Sequence, residues 1–134
     1  MTMTFTRWIL GCVAGSLILA GCASQSASLT VADLPAGDAA NGAALFTQSI
    51  NGLPTCSTCH SVDGSKLVGP SLQGYAKMAA TRTSLAADAY TLQSITQPSA
   101  YVVPGFTNVM IGQYGQKLSH QQLADIIAYL MTLS

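Results

Sequence analysis

Two cysteines and a histidine fall within five consecutive positions, Cys56, Cys59 and His60, in the run TCSTCHS from Thr55 to Ser61. Side chains of these types at this spacing can make a disulfide, half of a zinc site, a redox dithiol or an attachment point for haem. Zinc would need a second pair of ligands. The only other histidine is His120, and the other cysteines, Cys12 and Cys22, fall in an N-terminal segment that is expected to lie outside the fold. A thioredoxin-like dithiol wants a strand before the motif and a helix after it, whereas here a short helix and a proline turn come first. A disulfide across two intervening residues is strained and leaves His60 without a role.

Cys-x-x-Cys-His is, by contrast, the attachment signature of haem c. The spacing has a mechanical reason, because residues at i, i+3 and i+4 share one side of a helical turn. Cys56 and Cys59 can then both reach the two vinyl groups on one edge of a porphyrin and form thioethers. His60 falls beneath the iron as the proximal ligand. The occupant of the second axial position separates an electron carrier from a gas binder or catalyst. The candidates after the motif are Met78, Met110, Met131 and His120. Met131 belongs to the last turn of a C-terminal helix and His120 to its solvated first turn, while Met78 lies in an alanine-rich stretch with no clear structure. Met110 follows the irregular run YVVPGFTNV, 50 residues past His60, where a proline and a glycine can bend the chain. Met110 is the expected ligand.

Composition narrows the setting. The chain has 134 residues, 49% of them hydrophobic and only 7% charged, with a formal net charge of zero. That suits one domain and argues against nucleic-acid binding, which wants a basic stripe. All five acids are aspartates, which does not suggest a paired-carboxylate active site.

Much of the apolar character sits at the front. A single cation, Arg7, precedes a 13-residue apolar run from Trp8 to Ala20. A spanning helix needs about 20 residues, so this run has the size of a signal-peptide core. It ends in Leu-Ala-Gly-Cys, Leu19 to Cys22, which looks like a bacterial lipobox. Residues 1–21 are therefore expected to be a lipoprotein signal peptide and Cys22 the acylated first residue of a membrane-attached, extracytoplasmic chain. The plainer reading is ordinary cleavage near Ala20, which would leave Cys22 as an exposed thiol. Export agrees with the motif, since haem c is matured outside the cytoplasm.

The elements that must position the motif are short. Residues 22–36 are small and polar and read as a flexible tether, spanning roughly 20 Å as a coil. A domain is expected over 37–134, with order beginning at Asp38. Asp38 reads as the N-cap of a helix through Phe46, which Asn51 to Pro54 then breaks. Residues 63–74 read as loop. Asp88 reads as the cap of a helix that stops before Pro98, with Leu92 and Ile95 on one face. Ser119 and Gln122 form a capping box ahead of Leu123, Ile126, Ile127 and Leu130 at helical spacing. Nothing reads as a strand. Loops this long in a small domain need something to wrap around.

The pieces GAALF (Gly42 to Phe46), CSTCH (Cys56 to His60), GPSLQG (Gly69 to Gly74), PGFTNVM (Pro104 to Met110) and LADIIAYL (Leu123 to Leu130), in that order, resemble a small class I cytochrome c. The C-terminal half is similar to cytochrome c subunits or domains of respiratory complexes, namely alternative complex III and the second subunit of haem–copper oxidases. The resemblance implies an all-α fold of three to four short helices wrapped around one covalent haem c, and electron carriage rather than enzymatic turnover. It implies that Gly42 lets the first helix approach the last, with Phe46 near Tyr129. It also implies that the Pro70 carbonyl holds the Nδ1 proton of His60. The stretch from Thr47 to Cys56 is longer than in the most compact members. The expected function is a membrane-anchored carrier of single electrons in a respiratory or photosynthetic chain, docked to a membrane complex. The alternative, should Met110 not bind, is a five-coordinate haem c that senses a gas or has weak peroxidase activity.

Overall fold

The computed structural model describes residues 28–134. Cys22 and the apolar run before it, where the signal and lipidation expectations fall, lie outside the described residues. Among the described residues the fold is helical and has no strand, with one isolated bridge between Ile50 and Leu53.

Helix α1 (Ala39–Phe46) starts where its sequence dictates. Asp38 Oδ1 accepts from the backbone N–H groups of Ala40 and Asn41, at 2.8 and 3.2 Å, satisfying donors that the helix itself cannot. The last helix, α5 (His120–Thr132), is opened by the reciprocal bonds of Ser119 and Gln122, at 2.9 and 3.2 Å. Its apolar stripe of Leu123, Ile126, Ile127 and Leu130 is buried. Burying each such side chain contributes about 1.5–3 kcal/mol before chain entropy is charged against it.

These first and last helices cross at a glycine. A methyl group at Gly42 would lie 1.9 Å from the backbone oxygen of Asp125 and 2.8 Å from Tyr129 Cβ, so only hydrogen fits. Phe46 packs against Tyr129 beside the crossing, with ring centroids 5.5 Å apart. Asp125, 1% exposed, ties the two helices together. Its carboxylate accepts from the Asp38 N–H and the Gln121 amide, each at 2.8 Å, and from the Asn41 amide at 2.6 Å. Burial works to raise the Asp125 pKa, but these three donors outweigh it and hold the carboxyl below its ordinary value.

Helices α2 (Tyr75–Arg82) and α3 (Ala87–Thr96) pack against α5 and complete the core with Tyr75, Ala79, Leu92 and Ile95. A single turn, α4 (Tyr114–Lys117), precedes α5. Among the described residues the α-helices number five, α4 being a single turn, where three to four short helices were expected. The alanine-rich stretch around Met78 is α2, which starts without a capping side chain from Gly74 in the left-handed region, φ +66°. The cap of α3 is Ala86 rather than Asp88. Asp88 sits instead in the first turn, where its charge still favours the helix N-terminus.

Order also begins ahead of Asp38, within the stretch expected as a tether. Thr30 and Asp33 close a 3-10 turn at Val31–Asp33 through bonds of 2.6 and 2.9 Å. Leu29, Val31 and Leu34 pack on the core, and Gln121 donates to the Ala36 carbonyl at 2.9 Å. Three apolar residues show no period, yet they are enough to seat this segment.

Candidate functional site

The Cys-x-x-Cys-His segment is wound as a turn. Thr55 Oγ1 accepts from the Thr58 N–H at 3.2 Å and caps a 3-10 turn at Cys56–Thr58. The N–H groups of Cys59 and His60 both donate to the Cys56 carbonyl, at 3.2 and 3.0 Å. This winding brings Cys56, Cys59 and His60 to the wall of one large cavity. The two thiols are free. Burial, the largest influence, pushes the Cys56 thiol up, with Cys59 adding to it. A nucleophilic thiol needs the opposite shift, so Cys56 is poorly suited to attack a disulfide.

A loop returns from the motif to orient the histidine. The Gly69 N–H donates to the Cys59 carbonyl at 2.9 Å, and the Leu72 N–H to the Ser61 carbonyl at 2.7 Å. The Pro70 carbonyl then lies 2.9 Å from His60 Nδ1, which donates to it and leaves Nε2 as the nitrogen available to a metal. The close approach requires Gly69, since a Cβ there would sit 2.5 Å from the imidazole Cε1. Burial lowers the His60 pKa, the Pro70 bond opposes this, and the nearby Arg82 charge lowers it further. The ring is therefore neutral at physiological pH, the form that ligates a metal.

Of the four candidates for the second axial position, Met110 lines this cavity and Met78, Met131 and His120 do not. Met78 is on α2, Met131 packs on the core and His120 is exposed. The other walls are largely apolar, including Phe46, Leu72, Ile95, Phe106, Ile126 and Leu130. Among the described residues Arg82 is the one charged side chain in the lining, and its Nη1 donates to the Tyr90 hydroxyl at 3.4 Å. Tyr75 donates to or accepts from Thr91 at 3.1 Å, and burial pushes its phenol up to about 12.

Sequence reasoning did not single out Arg82, Gly69, Tyr90 or Tyr114, all of which also face the cavity. Gly69 opens the run GPSLQG that carries the family resemblance, and Tyr114 lies four residues past Met110, but nothing in one residue type says which side of a loop it takes. Arg82 carried the clearest signal, as the only arginine outside the N-terminal segment of a chain with few charges.

Two free thiols, a neutral oriented imidazole, a thioether and one guanidinium share an apolar cavity in an all-α domain. That donor set fits a porphyrin held by thioethers, with nitrogen and sulfur offered to its iron. A family model described as Cytochrome c matches residues 39–134, and the chain belongs to that family. Its members bind haem c covalently through cysteines and transfer electrons by means of it. No curated protein matches the sequence.

Proposed function

We propose that this protein is a membrane-anchored monohaem cytochrome c that passes single electrons to or from a membrane respiratory complex, and that it is not an enzyme. Bound in the cavity, haem c supplies a one-electron couple at its iron. Cys56 and Cys59 would hold it by thioethers, and His60 and Met110 would occupy the two axial positions. Pro70 keeps the imidazole fixed, Arg82 would supply a countercharge to the haem carboxylates, and the apolar walls would keep water out. The observation that carries this reading is that Met110 shares a cavity with Cys56, Cys59 and His60.

With His60 and Met110 both bound, the iron would offer no open position to a gas or peroxide. Carbon monoxide added to the reduced protein at neutral pH should therefore leave the spectrum unchanged at first. An immediate change would favour the five-coordinate alternative.

The partner is read from the cavity mouth. Val68 and Val109 are 60% and 57% exposed, and Val102 and Ile111 are also exposed. All four line the cavity. They come from two stretches, residues 67–76 and 101–113, that carry no charge. An uncharged apolar rim suits docking on a neighbour already close by, which membrane attachment through Cys22 would provide. Alternative complex III and haem–copper oxidases are the assemblies proposed, on the resemblance of the C-terminal half. Solubilisation in mild detergent should retain such a complex with the haem, and a haem protein that elutes alone would count against a fixed partner.

A further inference from the structure

The stretch between α1 and the motif contacts a turn far along the chain. Asn51 takes a left-handed backbone, φ +51°, with Gly52 following at +77°. This turn presents Asn51 and Pro54 to α4. The Asn51 side-chain amide donates to the Lys117 carbonyl at 2.7 Å, and Lys117 Nζ donates to the Asn51 carbonyl at 3.3 Å. The Tyr114 hydroxyl donates to the Pro54 carbonyl at 2.8 Å. Three bonds thus join a segment that ends two residues before Cys56 to a turn that begins four residues after Met110. On its other side α4 is seated closely against α3, where a Cβ at Gly115 would lie 3.0 Å from Thr96 Cβ.

The run from Pro104 to Met110 has little to hold it in place. Among the described residues its backbone bonds are confined to Phe106 with Val103 and Val109 with Thr107. Its position is set by its two ends, α3 upstream and α4 downstream. We infer that the Asn51–Pro54 turn is a clamp that, through Tyr114 and Asn51, holds Met110 in its axial position. The clamp couples the segment carrying the cysteines to the segment carrying the sulfur ligand. Asn51 and Tyr114 are positioning residues, and their role rests on Met110 being a ligand. An amide and a phenol that each bond a backbone carbonyl hold a loop in register without adding charge near the cavity. Asn51 serves twice, since few residues besides glycine accept its backbone and glycine has no amide.

The test uses the haem-loaded protein and imidazole as an exogenous ligand to the ferric iron, whose binding must wait for the methionine to leave. Tyr114→Phe keeps the ring and removes the hydroxyl. Asn51→Gly keeps the left-handed backbone and removes the amide. Losing a hydrogen bond of ordinary net strength should speed imidazole binding about two- to tenfold in each. Gly42→Ala serves as the control, since it loosens the α1–α5 crossing without touching the clamp. Faster binding in the clamp variants than in Gly42→Ala, compared at equal loss of thermal stability, supports the clamp. Wild-type rates in both clamp variants, or equal acceleration in the control, overturn it. Met110→Ala in the same series separates the two ideas. If the sulfur-to-iron charge-transfer band survives in Met110→Ala, the ligand assignment has failed and the clamp with it. If the band is lost there but the clamp variants exchange at the wild-type rate, the clamp alone has failed.

Discussion

His60 shows how much of a site one backbone carbonyl can decide. With Nδ1 committed to Pro70 at 2.9 Å, the imidazole has one orientation and one tautomer that suit a metal. The sulfur partner can be checked directly. Met110→Ala should abolish the weak sulfur-to-iron charge-transfer band of the ferric protein and lower the reduction potential, because thioether ligation favours ferrous iron. Loss of the band in Met78→Ala instead would move the assignment to α2. Arg82→Gln should also lower the potential, since it removes the one positive charge in the lining and leaves haem carboxylates uncompensated. Redox titration against pH reads this, and an unchanged potential would mean the carboxylates are neutralised elsewhere. The cysteines and His60 were legible because covalent attachment demands a contiguous motif. Arg82 and Gly69 were not, because their proximity to the cavity depends on how α2 and the loop before it fold back.

Among the elements, α1 and α5 carry the most exacting contact. Gly42→Ala places a methyl 1.9 Å from the Asp125 carbonyl, and overpacking of this kind costs about 1–3 kcal/mol. Thermal unfolding should show the loss. Asp125 adds a pH dependence to the same crossing. Its folded-state pKa lies below the ordinary 3.8, so the unfolded chain takes up this proton first. The stabilisation is complete above that ordinary value and is lost as pH falls through the folded-state pKa. Asp125→Asn should therefore be less stable than wild type near neutrality, by about 1–3 kcal/mol for mismatched buried donors, and the difference should shrink in acid. A constant difference between the two across the acid range would contradict the account. Both caps at this crossing were legible, since Asp38 and Ser119 act through side chains a few residues away. Helix α2 was not, because Gly74 caps through backbone conformation and the helix lacks an apolar period. Asp88 misled for a related reason, since a cap and a first-turn acid use the same residue type.

At the scale of the whole molecule, low charge governs how it meets others. Residues 22–134 hold four cations against five aspartates, and the apolar rim carries no charge. Electron transfer to an isolated membrane complex should accordingly vary little with ionic strength. A steep fall with added salt would reveal electrostatic steering and remove the basis for apolar docking. On the proposed acylation of Cys22, Cys22→Ser should release the protein from membranes with its haem spectrum intact, because acyl chains would then supply the attachment. Retention of the variant would point to an uncleaved signal or a tight partner. The bond from the Asp38 N–H to Asp125 spans 87 positions, and it implies an order of events in the life of the chain. Closing so wide a loop is slow and must precede any reward from the crossing. The cavity walls include Ile126 and Leu130, so the pocket is incomplete until the final helix arrives. In a chain growing from its N-terminus, Cys56 and Cys59 emerge long before that. Their thiols are reachable for modification throughout the interval, and the closing helix then seals in whatever they have acquired.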